Sequence, residues 1–243
     1  MRALRLILLL CSAGWRLHAA DFEAANQLYE QGKYPEAKMA YERLVAAGEW
    51  RANLFYNLGN AEYRLEAPGR AILNYERALA LDSAHPEAHA NLSLVRGKTG
   101  ALLWPRTWRD ALFPGRSIEV YTALGAIAGW VGLFCLAAIF LGRPQRDKSG
   151  LWFGAGFGLL IFGYSVAAVW SLGQDRALAI ITVNAAEAHF EPAESSAAAS
   201  SLTAGSQVRV LSERGDWTYC ALPGQGRGWI STHSLERVAL GKS

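Results

Sequence analysis

The sequence predicts a multi-domain membrane protein: α-helical repeats, then a two-helix transmembrane hairpin, then a C-terminal all-β barrel. Three observations carry this. Residues 21–97 match themselves when displaced by 34 positions. Two later runs, 120–142 and 149–174, contain no charged residue, and each exceeds the roughly 20 residues that a spanning helix needs. After Arg176 the apolar residues alternate with the period of strands. The whole chain has 243 residues, 51% of them hydrophobic, and a formal charge of only +3. Such a balance excludes the broad cationic footprint of a nucleic-acid-binding protein. Three cysteines, two of them inside apolar runs, exclude a disulfide scaffold.

Residues 1–20 read as an export signal. Arg2 and Arg5 precede Leu6-Ile7-Leu8-Leu9-Leu10-Cys11, an apolar run too short to span a bilayer that ends near Gly14, and His18-Ala19-Ala20 before Asp21 is the expected cleavage region. Lipidation at Cys11 is rejected, because Leu10 stands where a small residue is needed.

The transmembrane helices are expected at 118–142 and 150–174, after a juxtamembrane linker, 98–117. The loop 143–149 carries Arg143, Arg146 and Lys148 against Asp147. Basic loops stay in the cytoplasm, so residues 21–117 and 175–243 fall on the outer side. Trp104, Trp108, Phe113, Trp152 and Trp170 fit interfacial anchoring. Gly125 with Gly129, and Gly154 with Gly158, form two GxxxG pairs for close helix packing. In an antiparallel hairpin the first pair is expected near Gly163 and Ala167, the second near Ala137 and Ala138. Alternatively, one pair meets another membrane protein.

Within the helical region Asn26 aligns with Asn60, Tyr29 with Tyr63, Ala37 with Ala71, and Tyr41-Glu42-Arg43 with Tyr75-Glu76-Arg77. Asn91-Leu92-Ser93 echoes Asn57-Leu58-Gly59 in a third, partial copy. With Phe55-x-x-Leu58-Gly59 and Ala71-x-x-x-Tyr75-x-x-Ala78, this resembles the tetratricopeptide (TPR) family. Two departures stand out: Glu62 replaces a usual aromatic, and Ser83 a usual proline. The resemblance implies two repeats and a capping helix, few for a self-sufficient stack. It also implies that the first helix of each pair lines a concave face, placing Phe22, Asn26, Tyr29, Tyr56, Asn60, Tyr63 and Arg64 there. Amides beside aromatic rings suit an extended peptide; equally, some of them satisfy neighbouring helices.

Residues 177–240 carry strand patterns at Gln207–Leu211 and Asp216–Cys220, with turns at Pro223-Gly224 and Gly226. Ala204-Gly205, Asp216-Trp217, Leu222-Pro223-Gly224 and Gly228-Trp229-Ile230 resemble a bacterial SH3-like (SH3b) domain. His189 and Glu191 depart from that pattern, standing where arginine and glycine are common. Trp217 and Trp229 read as a ligand-stacking surface or as packed core, with core packing the expectation.

No catalytic reading survives. His85 and His89 flank Glu87 at helical spacing, but Pro86 puts His85 at a helix cap and a third metal ligand is missing. Cys220 with His233 is the only cysteine–histidine pair considered as a nucleophile and base. Cys220 lies in a strand without an orienting third group. Phosphate loops and serine elbows are absent from the sequence. No cofactor and no nucleic-acid partner is expected.

The order of signal, TPR pair, membrane hairpin and SH3-like domain resembles the BatE-type proteins of the bacterial aerotolerance (Bat) operon over nearly the whole chain. That resemblance implies membrane-protein partners with von Willebrand A domains and a MoxR-type AAA ATPase, in stress tolerance or envelope assembly. It places the chain in the bacterial cytoplasmic (inner) membrane, both water-soluble parts outside. The rival reading is a cell-envelope protein whose SH3-like domain binds peptidoglycan.

Overall fold

The computed structural model describes residues 20–105, 112, 118–142, 148–175, 177–224 and 226–240. The expected export signal (Ala20 apart), the basic loop 143–147, Trp108 and Phe113 lie outside them. The chain forms two compact units, one of residues up to Pro105 together with Ala177 onward, the other of Arg106–Arg176.

Five helices open the first unit: α1 over 20–30, α2 Tyr34–Ala46, α3 Ala52–Arg64, α4 Pro68–Leu81 and α5 Pro86–Thr99. Proline stands in the first turn of α2, α4 and α5, where its missing N–H costs no helical bond. The periodicity of the sequence reappears as repeated chemistry. Asn26 Oδ1 accepts from the Tyr41 hydroxyl at 2.8 Å and from Asn57 Nδ2 at 2.9 Å. One repeat later, Asn60 Oδ1 accepts from the Tyr75 hydroxyl at 2.8 Å and from Asn91 Nδ2 at 2.9 Å. The inter-helix turns repeat too: Gly32 has φ 75° and Glu66, at the same place in the next copy, φ 58°.

Seven antiparallel strands follow: β1 Leu178–Ile181, β2 Ala185–His189, β3 Ala198–Thr203, β4 Gln207–Arg214, β5 Trp217–Ala221, β6 Arg227–Ser231 and β7 Leu235–Arg237. Their order is β3-β2-β6-β5-β4-β1-β7. The all-β character matches the expectation, but the sheet is open: among the described residues no ladder joins its edges, β3 and β7. Val208, Val210, Cys220 and Ile230 point into one apolar core with Ala179, Ile181 and Leu202. Because strand side chains alternate, Trp217, Tyr219 and Trp229 face the other way and are only half-buried. The expectation that Trp217 and Trp229 fill the core is therefore corrected.

The helices and the sheet are not separate modules on a tether. Ile72, Leu92 and Val95 share an apolar cluster with Ile180 and Val238 of the sheet region. Gly69 makes the approach possible. A Cβ there would lie 2.5 Å from the Ile181 carbonyl oxygen and 2.7 Å from that of Thr182. Around this contact Arg77 Nη2 donates to Glu236 Oε1 at 2.7 Å and to the Arg237 carbonyl at 2.8 Å. Gln207 Nε2 donates to Glu76 Oε1 at 2.9 Å, and Arg96 pairs with the same carboxylate. Residues 101–105 extend along the sheet: Gln207 N–H donates to the Leu102 carbonyl at 2.8 Å, and the Arg209 guanidinium lies 4.6 Å from the Trp104 ring centre. Trp104 thus packs within this unit.

The second unit contains α6 Ile118–Leu141 and α7 Ser149–Asp175. By length and composition both can cross a membrane, with mean hydropathies of 2.3 and 1.7. They are apolar on all sides. Phe153 is 79% and Leu160 73% exposed on α7, as is Leu141, 86%, on α6.

Replacing Gly69 by alanine should force α4 off the strand backbone, since the obstacle is main chain and cannot rotate away. A loss of about 1–3 kcal/mol is expected, read as a lower Tm of the helix–sheet unit. Glu66→Gly should raise Tm, relieving about 1 kcal/mol of left-handed backbone cost.

Candidate functional site

The inner face of the helical array holds a concavity of about 290 Å³ lined by Tyr29, Tyr56, Asn60, Tyr63, Arg64, Tyr75, Asn91, Leu94 and Val95. It brings together five of the seven residues assigned to the groove. Tyr29 ends α1, while Tyr56, Asn60, Tyr63 and Arg64 project from α3 at helical spacing. Phe22 and Asn26 do not line it. Phe22 packs on Tyr41, ring centres 6.1 Å apart, under the Arg51 guanidinium at 5.1 Å.

The amides do a different job from the one first assigned. Asn26 and Asn60 spend their carbonyl oxygens on buried phenols and on the next asparagine, so they tie helices together. Burial pushes the Tyr41 hydroxyl up to about 12 and also raises Tyr75; both therefore stay protonated donors. What remains for a ligand is Tyr29, Tyr56 and Tyr63, the Leu94 side chain, and cations. Sequence reasoning missed Tyr75, Asn91, Leu94 and Lys98. The 34-residue register already held all four, since Tyr75 is the counterpart of Tyr41, Asn91 of Asn57, Leu94 of Asn60 and Lys98 of Arg64.

A second feature lies on the outer face of β2, β6 and β5. Tyr219 stands opposite Trp229, which stands opposite His189. The Tyr219 and Trp229 ring centres are 5.0 Å apart, and His189 meets Trp217 edge-on at 5.4 Å. His189 Nδ1 donates to the Ser196 carbonyl at 2.9 Å.

No family model matches the chain, and no curated protein does.

The residues weighed for chemistry have structural surroundings. Cys220 is fully buried, and desolvation pushes its thiol up to about 12, the opposite of what an attacking thiolate needs. His85 caps α5, its Nδ1 accepting from the Ala88 N–H at 3.4 Å while Nε2 meets Asn53 Oδ1 at 3.0 Å. His89 Nε2 lies 3.0 Å from the Ser83 carbonyl instead. Among the described residues no group of three His, Cys, Asp or Glu converges as a metal site would.

The glycines of the helix pair meet partners other than those expected. A Cβ on Gly125 would touch Ser165, and one on Gly129 would touch Phe162. Gly154 faces the Cys135 sulfur, and Gly158 lies against the backbone of Ala128 and Gly132. The tightest of these contacts is that of Gly158, where a Cβ would lie 2.8 Å from the Ala128 carbonyl oxygen. The rotation of each helix, which the spacing alone does not set, selects these faces over Gly163, Ala167, Ala137 and Ala138.

Glu62, the departure from the repeat pattern, is 2% exposed. It lies 3.2 Å from Lys38 Nζ and 4.0 Å from Arg70 Nη1, beside a cavity of about 200 Å³ that also holds Asn74. Asn74 Oδ1 is buried there without a hydrogen-bond partner. Desolvation raises the Glu62 carboxyl, and Lys38 opposes that only in part. A raised folded-state pKa means that acid favours the fold here and that stability is lost as pH rises through it. Glu62→Gln should accordingly raise Tm at neutral pH, with the gain shrinking as pH falls into the carboxylate range in paired thermal melts.

Proposed function

We propose that this chain is a non-enzymatic, membrane-anchored scaffold of the BatE type, whose TPR groove holds a segment of a partner protein. The observation that carries the reading is the tyrosine-lined concavity of about 290 Å³, whose tyrosines, exposed Leu94 and exposed Arg64 offer apolar and polar surface to an extended chain. The repeated Asn–Tyr bonding supports the TPR assignment, and the small antiparallel sheet supports an SH3-like one. On this reading α6 and α7 form a transmembrane hairpin. Helices and sheet share a core, so both must occupy one compartment, and two crossings return the chain to the face it left. The basic loop 143–149 then lies in the cytoplasm, both water-soluble parts on the outer side of a bacterial inner membrane. The partners are membrane proteins with von Willebrand A domains, working with a MoxR-type AAA ATPase in stress tolerance or envelope assembly.

The aromatic strip of Trp217, Tyr219 and Trp229 favours a second reading, peptidoglycan binding through the sheet. One experiment separates the two. The full chain is crosslinked in membranes and co-purified, and the same chain is incubated with purified sacculi. The scaffold reading expects Tyr63→Ala with Arg64→Glu to lose crosslinked partners while Trp229→Ala keeps them. Retention of every partner by the groove variant, with loss of sacculus binding by Trp229→Ala, favours peptidoglycan instead.

A further inference from the structure

The helical array has an open end, and its 34-residue register shows how the same surface looks when covered. Around α3 and α4 a cavity lined by Glu62, Leu73 and Asn74 is closed over by Glu42, Val45 and Ala46 of α2. One copy earlier, a concavity of about 300 Å³ is lined by α1, α2 and Ala47, the residue that caps α2. Ala24, Leu28, Ala40 and Leu44 form its floor, with Asp21 and Arg43 beside them. The counterparts of Leu28 and Ala40 are Glu62 and Asn74, so at these two places the open end is more apolar than the covered one. Exposure differs in the same sense. Leu73 is 1% exposed beside α2, whereas Met39, its counterpart, is 54% exposed. The end unit of a repeat stack ordinarily turns a polar face to water.

We infer that this end is a self-association surface, on which α1 and α2 of one copy pack against α1 and α2 of a second copy about a two-fold axis parallel to the helices. Such an interface uses the same patch on both copies and must therefore complement itself. Rotation about that axis lays α1 of each copy on α2 of the other, antiparallel and at the same height, as in a four-helix bundle. Asp21 stands in the first turn of α1 and Arg43 in the last turn of α2, which is the same end of the helix pair. Each Asp21 therefore meets the Arg43 of the other copy. An acid and a base on one patch suit a second copy, whereas a wholly acidic or wholly basic helix would set like charges together. Arg43 Nε donates to the Met39 carbonyl at 3.3 Å, which places Met39 beside it at the margin of the patch. Exposed ion pairs add little free energy, so Asp21 and Arg43 set the register while burial of Leu28 and Met39 drives association. Ala24, Ala40 and Ala47 are small enough to let the helices approach at the short end of the usual range of about 8–10 Å between axes. This surface lies apart from the tyrosine-lined groove, and the inference does not depend on how that groove is read.

The test follows the mass of the full chain by sedimentation equilibrium in a density-matched neutral detergent, over a range of micromolar concentrations. Monomer and dimer should interconvert with concentration. Arg43→Glu, at an exposed position, sets a carboxylate against Asp21 and should weaken the dimer at least about tenfold with an unchanged thermal melt. Adding Asp21→Arg restores opposite charges and should recover the association. Leu28→Glu should weaken it by a similar factor. A chain that is monomeric throughout overturns the inference. So does a dimer that every variant keeps, which would put the contact on another surface such as α6 and α7. A double variant as dissociated as Arg43→Glu alone overturns it too. In a monomeric chain, loss of crosslinked partners by Leu28→Glu would give the surface to a partner's helix, and a lowered Tm would give it to residues 1–19. Either result rules out self-association.

Discussion

With only hydrogen at its Cα, Gly69 lets α4 rest on the carbonyls of Ile181 and Thr182, and the water-soluble architecture follows from that contact. Two helix pairs and a fifth helix are a short stack, and a short stack leaves its last pair with an uncovered apolar surface. Here the sheet supplies the cover, adding Ile180 and Val238 to the cluster of Ile72, Leu92 and Val95. The polar rim, with Arg77 on Glu236 and Glu76 shared between Gln207 and Arg96, fixes the register in which the two surfaces meet. The sheet gains as well. Its short edge strand β7 is closed off by a guanidinium on the Arg237 carbonyl, so that edge cannot serve as a template for another chain.

This fusion changes what the apolar helix pair has to do. Two independent modules could lie on either side of a bilayer, but one body cannot. On the proposed membrane reading, the segment between residues 105 and 177 leaves and returns, which an even number of crossings achieves. It also bears on the groove. The Asn60–Asn91 bond that shapes the concavity depends on α5 staying in place, and α5 is held by the sheet through Leu92 and Val95. On the proposed reading, neighbouring residues of one array divide the work, Asn60 and Tyr75 tying helices together and Tyr63 and Arg64 facing a ligand.

Much of this was legible in the sequence because it rests on local periodicity. The 34-residue register located five helices and the Asn–Tyr pairs, and the charge-free runs located α6 and α7 within a residue or so. Five of the seven groove residues share one concavity, since helical spacing alone puts Tyr56, Asn60, Tyr63 and Arg64 on a common face. The misses have equally physical causes. Asn26 was assigned to a ligand because an amide looks the same in sequence whether its acceptor meets a peptide or Tyr41. Core packing was the expectation for Trp217 and Trp229 over a ligand-stacking surface, whereas strand parity, set by Thr218 and Cys220 facing inward, turned Trp217 outward.

What the sequence by itself determined is the set of elements and their order: helical repeats, two long apolar helices, then strands. Each of these follows from spacing along the chain, which is a one-dimensional property. Only the tertiary structure decided that helices and sheet form one body, that Trp104 packs under Arg209, and that Gly158 lies against the backbone of Ala128 and Gly132. Those outcomes depend on contacts between residues a hundred positions apart and on the rotation of each helix about its axis. Such contacts are selected by shape and by the pairing of buried polar groups, and they leave no period in the sequence to read.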